Sequence, residues 1–144
     1  MAFISLTRLR LRSLRFFPMF AIHTFASTRQ LRRAPGFVRG RFALEGLTGF
    51  WTITAWKDDA SMRAYRNTDA HKRAMPKLMV WCDEASVAHF EQPGDELLTA
   101  AQALERMIAS GRISKVRHPS PGHAAGMIAP DRKVPQVRQE VGPD

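Results

Sequence analysis

Apolar and polar positions alternate imperfectly along Phe3-Ile4-Ser5-Leu6-Thr7-Arg8-Leu9-Arg10-Leu11, the period-two signature of a β-strand. Ile4 and Leu6 fall on one side of that strand, and Phe3, Ser5, Thr7 and Leu9 on the other. The period then lengthens. From residue 17 to residue 33, helical spacing gathers Phe17, Phe20, Ala21, Phe25 and Leu31 on one broad side. Pro18 suits a first helical turn, and Arg29, Arg32 and Arg33 sit toward the C-terminal end, where cations oppose the helix dipole. Ala34-Pro35-Gly36 stops the helix. Two further strands, 37–44 and 50–56, flank the glycine-bearing turn Glu45-Gly46-Leu47-Thr48-Gly49 and read as a hairpin. Asp58 and Asp59 offer an N-cap to a helix that Asn67 and Thr68 interrupt. A second helical stretch covers 69–81, with Pro76 expected to kink or restart it, and a short fourth strand covers 87–91.

Strand, helix, two strands, helix, strand is the βαββαβ order of a ferredoxin-like α+β domain with an antiparallel sheet. Helices then cover one sheet face only. The third strand nevertheless carries Phe50, Thr52, Thr54 and Trp56 on one side and Trp51, Ile53 and Ala55 on the other. Both sides are apolar, so a homodimer is expected, the second subunit capping the free face. The domain is read as residues 1–92. An extension, 93–117, holds an amphipathic helix over 95–110 with Leu97, Leu98, Ala101, Leu104 and Ile108 in a stripe, then a further strand at 113–116. Residues 118–144, rich in proline, glycine and charge, read as a flexible tail.

The formal charge of +9 raises the question of a polyanionic partner. Nine arginines precede the first acidic residue, Glu45, but Arg8, Arg10 and Arg12 alternate with leucines. They are read as the solvated side of a strand, and nucleic acid is not expected as a partner. The apolar run 16–22 is too short to span a bilayer and is interrupted by His23. One cysteine, Cys82, excludes an internal disulfide and fits a reducing, cytoplasmic setting.

No nucleophile elbow, phosphate loop, dinucleotide fingerprint or His/Cys metal spacing occurs, so no catalytic residue is assigned. Individual side chains remain. His71 is a candidate base or haem-iron ligand, set against an ordinary helix-start histidine; Met75, one turn on, is a second candidate ligand or plain core. Trp51, Thr52, Thr54 and Trp56 are pocket candidates, with Ser5 and Thr7 as polar neighbours on the first strand. Cys82, followed by Asp83 and Glu84, reads as a buried unreactive thiol. Asp83 and His89 could pair as acid and base, although nothing in the spacing requires it.

The stretch from Phe50-Trp51-Thr52-Ile53-Thr54-Ala55-Trp56 through Met62-Arg63-Ala64-Tyr65 to Ala70-His71 resembles the dimeric α/β-barrel superfamily, including its antibiotic-biosynthesis-monooxygenase type. Ala74-Met75-Pro76-Lys77 and 81–90 more particularly resemble spheroidene monooxygenase-like proteins. The resemblance covers roughly residues 2 to 91 and agrees with the single-domain reading. It implies a ferredoxin-like protomer, a homodimer and a monooxygenase acting on a hydrophobic small molecule, carotenoid-like or polycyclic. It also implies haem, held through a helix histidine, in some relatives and no cofactor in others. In haem-degrading relatives that histidine falls about one turn after His71, at Met75. The alternative is a non-catalytic dimeric module that binds a small ligand.

Overall fold

A computed structural model describes all residues, Met1–Asp144. Strand β1 (Ala2–Leu11) leads through a short 3-10 turn to helix α1 (Phe17–Arg33). The hairpin β2 (Phe37–Glu45) and β3 (Gly49–Trp56) follows, then α2 (Asp59–Arg66), α3 (Asp69–Trp81) and β4 (Cys82–Gln92). The chain continues with α4 (Ala100–Ser110), β5 (Arg112–Ile113), α5 (Pro121–Ala124) and β6 (Gln136–Val141). One antiparallel sheet results, in the order β5-β4-β1-β3-β2-β6. Its four central strands have the ferredoxin-like arrangement that the element order demands.

Local chemistry explains the boundaries. Asp58 caps α2 by accepting a 2.8 Å hydrogen bond from the Ser61 N–H, and Thr99 and Gln102 form a reciprocal capping box on α4. Gly36 takes φ +86°, and a Cβ there would collide with the Ser61 side chain, so the turn from α1 into β2 requires glycine. Pro76 is accommodated inside a continuous α3 rather than restarting it.

The register sorts side chains onto two faces. Phe3, Ser5, Thr7 and Leu9 stand opposite Trp56, Thr54, Thr52 and Phe50 on the face covered by α1, α2 and α3. Ile4, Leu6 and Arg8 stand opposite Ala55, Ile53 and Trp51 on the other. That second face is not left for another subunit. Leu97, Ala103, Leu104 and Met107, with Ala129, join Ile4, Leu6, Trp51 and Ile53 in the largest core cluster. The chain's own extension therefore caps the face on which the sequence leads one to expect a sister copy, and two-sided hydrophobicity reflects two intramolecular covers.

Other expectations change with it. The flexible tail from 118 onward is instead built into the fold: α5 tucks His123 inside, and β6 pairs with the edge of β2. The strand at 113–116 contracts to two residues, and α4 begins at Ala100, not 95. β4 is longer than 87–91 because Asp83 and Glu84, which look unlike strand residues, meet Arg10 and Arg8 across the sheet. Arg8 is correspondingly not solvated, being only 1% exposed, and Arg10 is half-buried. Helix α1 turns Phe20 and Leu31 inward and leaves Phe17, Ala21 and Phe25 outside. Phe20 wins the inner position by packing on Phe50, ring centroids 4.4 Å apart.

Candidate functional site

The helix-covered face carries a row of small polar side chains, where a core would ordinarily be apolar. Across β4, β1 and β3 the register aligns His89, Ser5 and Thr54 in one row and Val87, Thr7 and Thr52 in the next. Ser5 and Thr54 are buried, Thr7, Thr52 and His89 half-buried. Thr54 donates its hydroxyl to the Ser5 carbonyl at 3.3 Å and accepts the Trp56 indole N–H at 3.0 Å. Above this row an aromatic ladder climbs to the helices: Phe37 on Trp56, Trp56 on Tyr65 and Tyr65 on His71, with ring centroids 5.5, 5.3 and 4.8 Å apart. His89 packs against Phe3 at 5.8 Å.

Helix ends hold the upper residues in place. Gln30 of α1 donates to the carbonyls of Tyr65 and Thr68 and accepts the His71 N–H at 2.9 Å, bolting α1 onto the α2–α3 junction. The Tyr65 hydroxyl donates to the Ser27 carbonyl, and burial pushes its pKa far above the ordinary phenol range. His71 Nδ1 lies 3.2 Å from the Arg66 carbonyl, which favours a proton on Nδ1 and leaves Nε2 as the acceptor. Burial lowers the His71 pKa, and the Arg66 charge adds to this against the hydrogen bond. His89 is also lowered, first by burial and then by the charges of Arg66 and Arg112. Both imidazoles are thus biased toward the neutral form, and the charge of Arg66 contributes to each shift.

The candidates from the sequence are thus partly reunited. Thr52, Thr54 and Trp56 share the face with Ser5, Thr7, His71 and His89. Trp51 does not join them: strand alternation sends it to the opposite side, where its indole donates to Glu45 at 2.9 Å. Asp83 does not reach His89 either, being held by Arg10 in a two-pronged pair at 2.9 Å. Cys82 is fully buried, and burial with the Asp83 charge pushes its thiol up to about 12, so it is unreactive. Nothing in the surroundings of His71 marks it as a haem-iron ligand. Its ring packs at a tilt of 52° against Tyr65, and it lines neither the cavity near 210 Å³ nor the one near 480 Å³. The larger lies at the sheet end beside Met1, Val38, Trp56 and Lys57.

On the opposite face the sequence reading missed a buried ionic cluster. Arg8 grips Glu45 through Nε and Nη2 (2.9 and 2.8 Å) and donates Nη1 to Glu84 at 2.7 Å; Ser120 donates to the other Glu84 oxygen. Burial alone would raise the Glu45 pKa, but hydrogen bonds from Arg8 and Trp51 and the Arg8 charge lower it overall. The available signal was Glu84 standing directly before the apolar-facing run Ala85-Ser86-Val87-Ala88, with arginine on an alternating strand to match it.

The protomer is thus ferredoxin-like, with a polar row under helix-borne aromatic and imidazole groups. Residues 21–77 match the antibiotic biosynthesis monooxygenase family model, in agreement with that part of the resemblance read from the sequence. Among solved structures, a mutant form of SnoaB, a cofactor-independent oxygenase from Streptomyces nogalater, is similar with TM-score 0.54 and 16% identity. The match covers 65% of this chain and 94% of that one. PA3566 from Pseudomonas aeruginosa gives 0.56 at 13% identity over 65% of this chain and 95% of its own. A conserved protein from Methanosarcina mazei Go1 gives 0.55 at 15%, over 63% and 92%. No curated protein sequence matches the chain. No helix is long and apolar enough to cross a membrane.

Proposed function

We propose that this protein is a monooxygenase that needs no haem and acts on an electron-rich hydrophobic molecule, a polycyclic phenol ahead of a carotenoid-like polyene. The observation that carries this reading is the placement of neutral His71 and His89 at a face lined by Ser5, Thr7, Thr52 and Thr54. An imidazole that is uncharged at neutral pH can take a proton from an acidic ring position of the substrate. The resulting carbanion delivers its electrons to dioxygen. One oxygen atom ends as a ring carbonyl and the other leaves as water, so the substrate supplies all the reducing equivalents. Hydroxyls of Thr7 and Thr52 orient the phenolic oxygens, and Trp56 and Tyr65 supply flat apolar contact. A polyene offers no comparably acidic hydrogen, which places it second and leaves the narrower likeness to spheroidene monooxygenase-like proteins as a question of substrate. A reducing cytoplasm suits the lone Cys82 thiol.

Proteins of this family are typically dimeric. A pair of these chains would have to form through a surface other than the capped sheet face. The rival reading, a non-catalytic small-ligand binder, is favoured by the open cavity of about 480 Å³ beside Trp56, whose lining includes neither His71 nor His89.

Oxygen uptake with a panel of polycyclic phenols and polyenes separates the readings. Uptake with phenols, reduced about a hundredfold or more in His71→Ala or His89→Ala, is expected. Ligand binding with no oxygen uptake would transfer the protein to the binding class. A Soret band in protein expressed with ample haem, lost in His71→Ala, would restore the haem reading.

A further inference from the structure

The solvent side of α1 is unusual for an outer helix. Leu14, just before it, and Phe17, Met19, Ile22 and Phe25 are all exposed, Ile22 by 61% and Phe25 by 67%, although each is a large apolar side chain. Met19, Ile22 and Phe25 recur at three-residue spacing and lie along one strip of the helix surface. Both sheet faces, by contrast, are covered, so this strip stands alone on the helix layer.

Its surroundings are cationic. Arg12 and Arg15 flank the Phe16 ring at one end, 4.5 and 4.8 Å from its centroid. Arg29, Arg32 and Arg33 lie at the other end, and Lys77 of the neighbouring α3 comes to 3.5 Å from His23. No acidic residue occurs before Glu45, and of these cations only Arg33 forms an ion pair, with Asp144. The first turn of α1 has neither an acidic residue nor a side-chain cap, so nothing offsets its positive dipole end.

We infer that α1 lies on an anionic phospholipid surface, with Met19, Ile22 and Phe25 entering the headgroup–acyl boundary and the arginines meeting lipid phosphates. Apolar centre and basic rim together match this occupant. A second copy is a poor match, because a two-fold contact through the strip would bring the basic rims of two chains together. Nucleic acid would use the arginines but give Met19 and Ile22 nothing to do. The inference stands on the helix surface alone and does not depend on the oxygenase reading.

Co-sedimentation of the full chain with vesicles tests it. The probe is phosphatidylcholine mixed with phosphatidylglycerol at about two to one, against phosphatidylcholine alone. The protein should pellet with the anionic vesicles, stay largely in solution with the neutral ones, and be released by high salt. The double variant Ile22→Ser/Phe25→Ser should weaken binding by at least about tenfold. Both side chains are exposed, so an unchanged circular dichroism spectrum and melting transition are expected. Absence of the wild type from the anionic pellet would overturn the inference, as would equal pelleting of the double variant. A concentration-dependent dimer that the double variant abolishes would reassign the strip to self-association. Binding to a single-stranded oligonucleotide that the double variant retains, together with no vesicle binding, would reassign the arginines.

Discussion

Arg8 shows how much can depend on one side chain. It neutralises two carboxylates, Glu45 and Glu84, in a region where all three side chains are buried. Removing only the cation leaves two buried anions, so Arg8→Met should cost about 3–5 kcal/mol, measured by urea unfolding. Ser86 provides the contrast. Its hydroxyl is buried and has no partner, so Ser86→Ala should be neutral or should stabilise by up to about 1 kcal/mol in the same assay. The histidines make stability depend on pH. His71 and His89 have lowered values in the fold, so the unfolded chain binds more protons below its ordinary histidine pKa of about 6.5. Stability should therefore hold above that pH and fall as the solution is taken from about 7 to 5, an effect that His71→Gln should diminish. Glu45, lowered in the fold, adds a separate loss only at more acid pH, below its ordinary value of 4.5.

Among elements, α4 has the largest consequence. Leu104 and Met107 insert between the helix and the sheet, and Met107 is wholly buried. Met107→Ala should cost about 2–5 kcal/mol, read from the shift in denaturant midpoint. Thr99→Ala, which breaks the reciprocal cap, should cost about 1 kcal/mol. Most elements could be read in advance because their signals are local: alternation in β1 and β3, Ala34-Pro35-Gly36 after α1, Asp58 before α2. Those that could not be read depend on distant partners. Asp83 and Glu84 look like a break in a strand until Arg10 and Arg8 stand beside them. The outward turn of Phe25 was equally invisible, since α1 offers two apolar sides and only Phe50 decides between them. On the helix-covered face, alternation grouped Thr52, Thr54 and Trp56 on one side, as the register does, whereas the approach of His71 to Tyr65 and of His89 to Phe3 depends on register and helix docking.

For the molecule as a whole, the extension changes what a partner could do. Because α4 and Ala129 already occupy the second sheet face, that face offers no room for a symmetric mate. Sedimentation equilibrium in the absence of lipid should accordingly give the mass of one chain, 16.3 kDa; a stable dimer would require contact through a surface other than the capped sheet face.

The placement of β6 carries a consequence for synthesis. Its pairing with β2 joins residues far apart in the chain, Arg41 with Glu140 across 99 positions and Gly40 with Val141 beside them. On the ribosome, β1 to β4 can pair while α4 and everything after it are still unmade, and the nascent sheet then exposes one oily surface and an open β2 margin. Chaperone demand should peak in that interval and subside once the closing segment has docked.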